Sequence, residues 1–303
     1  VMKLSKIVRK IQNKIRTSNY ISKSKHNVAH HYDLSDKLYE LFLDPDRQYS
    51  CAYFNSPNDT LEQAQINKKE LISKKLLLEE GQSVLDIGCG WGGMASHIYK
   101  KSNANVVGVT LSEEQIAYAK QRKIDEKLDK VEYRLQDYRN VNETYDRIVS
   151  VGMFEHVGTA HYQEFFNKVH DLLNDTGVAL IHTIGRLTEP TNNDPWIEKY
   201  IFPGGYIPAL SETMSRVEKS GLSLTDVQVL RFHYAETLKR WRYNFYDNID
   251  KVKELYDEKF CRMWDFYLSS SQASFEEAGL VVFQLQLSKN KKTVPDKRDY
   301  LLA

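Results

Sequence analysis

The residues whose types and spacing most clearly suggest chemistry lie in Val84-Leu-Asp-Ile-Gly-Cys-Gly-Trp-Gly-Gly93. Ser83 to Ile87 is a short apolar run containing Asp86, the pattern of a buried strand. Gly88, Gly90, Gly92 and Gly93 follow at once, where a side chain would block a close backbone approach or a positive φ; Met94 to Tyr99 then turns helical. Strand, glycine loop and helix N-terminus make a cradle for a nucleotide-type ligand, with backbone N–H groups and the helix dipole facing it. A lone Gly-x-Gly also fits a plain tight turn, so the flanking strand and helix carry the reading. Dinucleotide folds put an acid at the end of the second strand for a ribose. Thr110 and Ser112 stand there instead, which argues against a classical NAD site.

Metal chemistry has weaker support. His26, His30 and His31 cluster, but no further Cys, His or acidic ligand follows at a set spacing, so no metal is expected. Cys51, Cys89 and Cys261 are odd in number, widely spaced and lack a C-x-x-C. They suit neither a disulfide framework nor a zinc site, and a reducing cytoplasm fits them. The 303 residues, 41% hydrophobic and 27% charged, suffice for one large domain with a real core. A net charge of +1 gives no global field for nucleic acid. No apolar run is long enough to span a bilayer, and no secretory signal pattern is present.

The elements that position these residues can be read in order. The first 32 residues hold Lys3, Lys6, Arg9, Lys10, Lys14, Arg16, Lys23 and Lys25 and no acid, with Leu4, Ile7, Val8, Ile11 and Ile15 on one helical face. Such a basic amphipathic helix suits an anionic membrane surface, and equally a docking helix or a linker. Leu61 to Leu78 reads as a helix capped by Asp59 or Thr60. Strands are expected at Asn105–Val109, Val131–Leu135, Tyr145–Val151 and Val178–His182, with helices between them, one opened by a Ser112/Gln115 capping box and another over Ala160–Leu173. That alternation predicts a parallel α/β sheet. From Ile184 the rhythm breaks into a proline-rich, aromatic stretch to Leu210, which reads as a lid or substrate wall. Helix returns at Met214–Gly221, strand at Ser223–Phe232, mostly helix over Ala235–Phe275, and a last strand at Val281–Leu287.

With these segments in place, Asp86-Ile-Gly-Cys-Gly-Trp-Gly92 resembles the first motif of class I S-adenosylmethionine methyltransferases. Tyr49-Ser-Cys-Ala-Tyr53, Gly108-Val-Thr-Leu-Ser-Glu-Glu-Gln115, Phe154-Glu-His-Val-Gly158, His182-Thr-Ile-Gly185, Tyr200-Ile-Phe-Pro-Gly-Gly-Tyr206 and His233-Tyr-Ala-Glu-Thr-Leu238 resemble the cyclopropane-fatty-acyl-phospholipid synthases. The likeness runs from about His26 to the last strand. It implies a class I methyltransferase Rossmann-like seven-stranded sheet with helices on both faces, plus a helical and aromatic substrate lid. Residues 1–25 are expected to be a basic amphipathic N-terminal helix or linker. Residues 26–303 form one methyltransferase domain, with a lid insertion at about 184–215 and a helical segment at about 233–278. Bacterial members often carry an extra N-terminal domain that is missing here. The chain opens Val-Met, so it reads as a piece of a longer protein or as a short form like the mycolic-acid enzymes.

The resemblance implies methylene transfer from S-adenosylmethionine to a cis double bond of an unsaturated phospholipid acyl chain. An alkene is a weak nucleophile, so the donor must be a sulfonium. Attack leaves a carbocation; a base then takes a proton from the new methyl group and the ring closes. Water would trap the cation, so the site must be closed and apolar, and aromatic faces can stabilise the charge. Family members bind bicarbonate as the base. Its ligands map onto Cys51, Glu155, His182, Tyr234 and the backbone N–H of Ile184. Thiol, imidazole, phenol and amide donate to an anion, and Glu155 accepts the bicarbonate O–H. The cofactor residues carry over to Tyr49, Ser50, Asp86, Gly88, Gly90, Gly92, Thr110, Leu111, Gln115, Gln136 and Asp137. Among them Thr110 and Gln115 suit the ribose and Asp137 the adenine amino group. Mycolic-acid members have a cysteine where this chain has Ser271; Cys51 is kept, and neither position is expected to be a covalent nucleophile.

Three other readings are weighed. A methyl-branching enzyme on the same substrates shares the early steps. Methylation of a small amine needs no bicarbonate ligands. A non-catalytic lipid-binding protein needs no cofactor loop. The expected setting is cytoplasmic, peripheral at the inner face of the membrane and touching its anionic surface. No nucleic-acid partner is expected, and a homodimer stays open.

Overall fold

The computed structural model describes residues 35–302. The basic segment 1–25 and His26, His30 and His31 lie outside the described residues. Helix α1 (Asp36–Phe42) and helix α2 (Leu61–Lys75) precede the sheet; Thr60 caps α2, its Oγ1 accepting the Gln63 N–H at 3.2 Å. The strands are β1 (Ser83–Ile87), β2 (Asn105–Thr110), β3 (Val131–Leu135), β4 (Tyr145–Val151), β5 (Leu173–Arg186), β6 (Ser223–Leu230) and β7 (Leu280–Ser288). They form one seven-stranded sheet in the order β3-β2-β1-β4-β5-β7-β6. The expected parallel pairing holds from β3 to β5, but β7 enters between β5 and β6 antiparallel to both.

The chain reverses its direction of travel across the sheet between β1 and β4, and a crevice opens there at the carboxyl ends of the strands. Helices α3 (Gly93–Ser102) and α4 (Glu113–Asp125) pack on one face through Met94, Ile98, Ile116 and Ala119. Helix α5 (Tyr162–Leu172) covers the other face with Phe165, Phe166 and Val169, and helix α7 (Leu210–Ser220) adds Val217. A third apolar core, rich in aromatic rings, joins α1 to helices α8 (His233–Asp247), α9 (Ile249–Leu255) and α10 (Glu258–Glu277).

The structure departs from the sequence reading at the lid and at one helix cap. The expected lid starts too early, because Ile184, Gly185 and Arg186 are still in β5, paired with Val282, Val281 and Leu280. The irregular segment is therefore residues 187–209, and it contains the short helix α6 (Pro195–Tyr200). The capping box at α4 is only half made. Ser112 Oγ accepts the Gln115 N–H at 3.2 Å, but Gln115 Oε1 accepts the Thr110 hydroxyl at 3.0 Å instead of returning to the Ser112 amide.

Candidate active site

The glycine loop shows why side chains are excluded. Gly88 and Gly92 have φ of +83° and +84°. A Cβ on Gly92 would lie 2.5 Å from the Tyr133 hydroxyl, which donates to the Gly92 carbonyl at 3.0 Å. Gly90 is different: the nearest atom to a Cβ there is Gln115 Nε2, at 4.0 Å. Its open side faces a cavity. Around this cavity stand Tyr49, Ser50, Asp86, Gly88, Gly90, Thr110, Leu111, Gln115, Gln136 and Asp137. Gly92 is not on the wall; its role is to turn the chain beneath Tyr133.

Asp86 is buried, and burial raises its pKa to about 7; its Oδ2 has no hydrogen-bond partner among the described residues. A buried acceptor without a partner beside a loop with room at Gly90 fits a ligand bearing an ammonium or hydroxyl donor. Asp137 is more constrained than the sequence suggested. Its carboxylate holds the Arg139 guanidinium at 2.8 and 2.7 Å and the Arg139 N–H at 2.9 Å. Gln136 Nε2 donates to the Asn140 carbonyl at 2.9 Å.

A second cavity shares Tyr49, Ser50, Gly152 and His156 with the first. Cys51, Glu155, His182, Ile184 and Tyr234 all line it. The topology explains their meeting. Strands β4 and β5 run parallel with Val151 beside His182, so Glu155, just past β4, reaches the end of β5. The Gly152 N–H donates to the His182 carbonyl at 2.8 Å and fixes that alignment. Cys51 is brought in by α8: the Ala52 N–H donates to Thr237 Oγ1 at 3.0 Å and the Phe54 N–H to His233 Nδ1 at 3.1 Å. Tyr234 sits in the same first turn of α8, packed edge-on to Trp241 and tilted against Phe275.

Electrostatics assign distinct states to these groups. Burial raises the Glu155 pKa to about 7, opposed first by the Ile184 N–H, which donates to Oε1 at 2.6 Å. The Thr183 hydroxyl is near enough to lower it slightly, but donates to the Ile184 carbonyl at 3.0 Å, leaving Oε2 without a hydrogen bond. Thus the Ile184 amide, expected as an anion donor, is engaged by Glu155. His182 is 2% exposed, and burial, with the Lys68 and Lys75 charges, holds its pKa well below 6.5. Gln284 Nε2 lies 3.2 Å from His182 Nδ1; with the amide so oriented, His182 Nε2 carries the proton and has no acceptor among the described residues. Burial pushes the Cys51 thiol far above neutrality, so it remains an S–H, here donating to the Ala52 carbonyl at 3.2 Å, and not a nucleophilic thiolate.

The rest of this cavity is largely apolar: Ile197, Phe202, Leu238, Phe266, Phe275 and Val282, with Tyr49, Tyr206 and Tyr267 adding rings. Ser270 and Ser274 also face it, but their hydroxyls donate back to the Tyr267 and Ser270 carbonyls of α10, at 3.2 and 2.8 Å. Phe266 is 53% exposed and packs edge-on to Trp196 of α6.

The model for the family described as mycolic acid cyclopropane synthetase matches residues 20–285. The chain belongs to that family. It is 41% identical over 259 residues to the cyclopropane-fatty-acyl-phospholipid synthase of Escherichia coli K12, covering 86% of this chain and 66% of that one. Among solved structures, the cyclopropane synthase MmaA2 of Mycobacterium tuberculosis superposes with a TM-score of 0.83 at 36% identity, covering 88% of this chain and 98% of that one. The mycolic acid cyclopropane synthase CmaA1, complexed with SAH and CTAB, gives a TM-score of 0.82 at 36% identity, covering 87% and 97%. Family and fold make the chain an S-adenosylmethionine-dependent methyltransferase, with the class I fold expected from its sequence.

Sequence reasoning missed Lys68, Gln284, Arg139 and His156. Lys68 was detectable: Leu61, Ala64, Lys68 and Ile72 share one helical face, and a lysine on an apolar face is a signal. His156 lay inside a quoted motif; burial lowers its pKa to about 4, so it is neutral where the two cavities adjoin.

Proposed function

We propose that the chain transfers a methylene group to a cis double bond of an unsaturated phospholipid acyl chain, giving a cyclopropane, with bicarbonate as the base. The observation that carries this is the convergence of Cys51, Glu155, His182, Ile184 and Tyr234 on one mainly apolar cavity that shares a wall with the glycine-loop cavity. Asp86, Gly88, Gly90, Thr110, Leu111 and Gln115 would hold S-adenosylmethionine, with Tyr49 and Ser50 at the shared wall. Bound there, it supplies a methyl group activated by a sulfonium, and bicarbonate supplies a base for the proton that leaves.

The chain's own residues do the rest. The alkene would take the methyl group as its bond to sulfur breaks and S-adenosylhomocysteine leaves, and the resulting cation on the acyl chain would close to the ring on losing a methyl proton to the base; Tyr49, Phe202, Tyr206, Tyr234 and Tyr267 offer ring faces to that cation. Phe275, Leu238 and Val282 keep water away from it. Glu155 Oε2, unpartnered in this cavity, accepts the hydroxyl of the anion and raises its basicity. His182 Nε2–H, the Cys51 thiol and the Tyr234 phenol donate to its oxygens. Segment 187–209 walls the cavity through Asn193, Ile197, Phe202 and Tyr206, and acts as the lid that closes on the acyl chain. Contact with an anionic membrane surface through the N-terminal basic segment, on the cytoplasmic face, would bring the chain to its lipid.

The test is incubation with methyl-labelled S-adenosylmethionine and vesicles of a monounsaturated phospholipid. Mass spectrometry should show chains heavier by one CH2, and proton NMR should show cyclopropane signals replacing the vinyl ones. A methyl-branched product, or labelling of a headgroup amine, would overturn the assignment.

A further inference from the structure

Among the described residues, Lys68 is a cation with no exposed surface and no carboxylate within ion-pair distance. Its ammonium donates to Gln48 Oε1 at 2.6 Å and to Ser50 Oγ at 2.9 Å. One turn earlier on α2, Gln65 Nε2 donates to the carbonyls of Gln48 and Ser50, at 3.2 and 3.0 Å. Helix α2 thus grips segment 48–50 by its backbone through Gln65 and by its side chains through Lys68. Gln48 lines the cofactor cavity, and Ser50 lines both cavities.

A buried ammonium is costly unless something uses its charge. Burial lowers the Lys68 pKa only to about 8, so it is mostly protonated at neutral pH. Its charge is felt first by Asp44 and also by Asp46, and it reaches Cys51, His182 and Asp86. The other cations nearby are differently placed. Lys75 lies 3.6 Å from Asp226; Arg186 lines the second cavity, but it donates to the Ile207 carbonyl at 3.0 Å and its charge faces Tyr206, Glu212 and Tyr162. Cys51, Glu155, His182, Ile184 and Tyr234, the groups assigned to the anion, include no cation, and a positive charge close behind them would offset that.

We propose that Lys68 is the positioning residue for that anion: its ammonium, seated behind the wall common to both cavities, orients Ser50 and supplies the positive charge that retains bicarbonate beside Glu155. The inference rests on the bicarbonate reading above, and goes beyond it in naming the counter-charge. Lys68 touches neither substrate; it acts through Ser50 and through the field.

The test measures turnover on unsaturated phospholipid vesicles in carbonate-depleted buffer, titrated with sodium bicarbonate. S-adenosylhomocysteine affinity is measured separately by calorimetry. The wild-type chain should regain turnover with added bicarbonate. Lys68→Met should raise the half-saturating bicarbonate at least tenfold and change S-adenosylhomocysteine affinity less than threefold, while Lys68→Arg should lie between. Should Lys68→Met not fold, Ser50→Ala must raise the half-saturating bicarbonate at least threefold, and an unchanged value overturns the inference. A folded Lys68→Met that loses turnover and cofactor affinity together, with bicarbonate dependence unaltered, also overturns it. A wild-type chain indifferent to bicarbonate removes the base itself and this inference with it.

Discussion

Replacing Glu155 by Gln separates a chemical carboxylate from a structural one, because the two roles predict opposite changes in stability. Oε1 accepts the Ile184 N–H, and a glutamine oxygen can do the same. Oε2 has no hydrogen bond to lose. Burial raises the carboxyl pKa from 4.5 to about 7. The folded chain therefore holds this proton more tightly than the unfolded chain. The stability it contributes is fully present below pH 4.5 and is lost as the pH rises through 7. At ~1.4 kcal/mol per tenfold change in proton affinity, ionisation costs the fold about 3 kcal/mol above that range. Glu155→Gln removes this cost, so the variant should be more stable than wild type at about pH 8.5, by up to about 3 kcal/mol. At roughly 2 cal/mol/K per residue of unfolding entropy, that is about 5 °C in Tm. The gap should close as the pH falls toward about 5, while turnover at about pH 8.5, where the wild-type carboxylate is ionised, drops at least ~100-fold. Thermal unfolding across this pH range, without ligand, and the mass-spectrometric turnover assay measure both. A variant less stable than wild type by about 2 kcal/mol at alkaline pH would show that the carboxylate holds the fold together, and the argument would fail.

Four further outcomes can be measured. Gly90→Ala should cost only about 1 kcal/mol of stability, yet weaken S-adenosylhomocysteine at least tenfold in calorimetry, because its methyl points into the cavity. Gly92→Ala should instead cost about 2 kcal/mol or more in denaturant unfolding, since its methyl meets the Tyr133 hydroxyl. Ser274→Phe should abolish lipid turnover by filling the second cavity and leave S-adenosylhomocysteine affinity unchanged; loss of both would show that the cavities are not independent. Changing Lys6, Arg9, Lys10 and Lys14 to Gln should reduce flotation with anionic vesicles, at about 1 kcal/mol per charge near the surface, and unchanged flotation removes that membrane contact.

The glycine loop was legible because strand, turn and helix signals fall next to one another in the chain; the Asn105–Val109 strand was legible by its apolar run, and Val131–Leu135 by its alternation of apolar and charged residues. What local pattern could not supply was direction. The alternation over Val281–Leu287 announces a strand, but not that it runs antiparallel between β5 and β6. Nor did that alternation reveal that Gln284 and Gln286, on the polar face, are fully buried. A polar face normally meets water; here it meets His182 and the end of α2. The meeting of Cys51 with Tyr234 was readable only through family resemblance, since it depends on α8 gripping segment 52–54 from nearly two hundred positions away.

The thin partition formed by Tyr49, Ser50, Gly152 and His156 has a pharmacological consequence. A single synthetic molecule joining a nucleoside head to a hydrocarbon tail would occupy both chambers at once. The second half would then bind at the high effective concentration set by a short tether rather than from bulk solution. Such hybrids would discriminate this enzyme from methyltransferases that possess the head chamber alone.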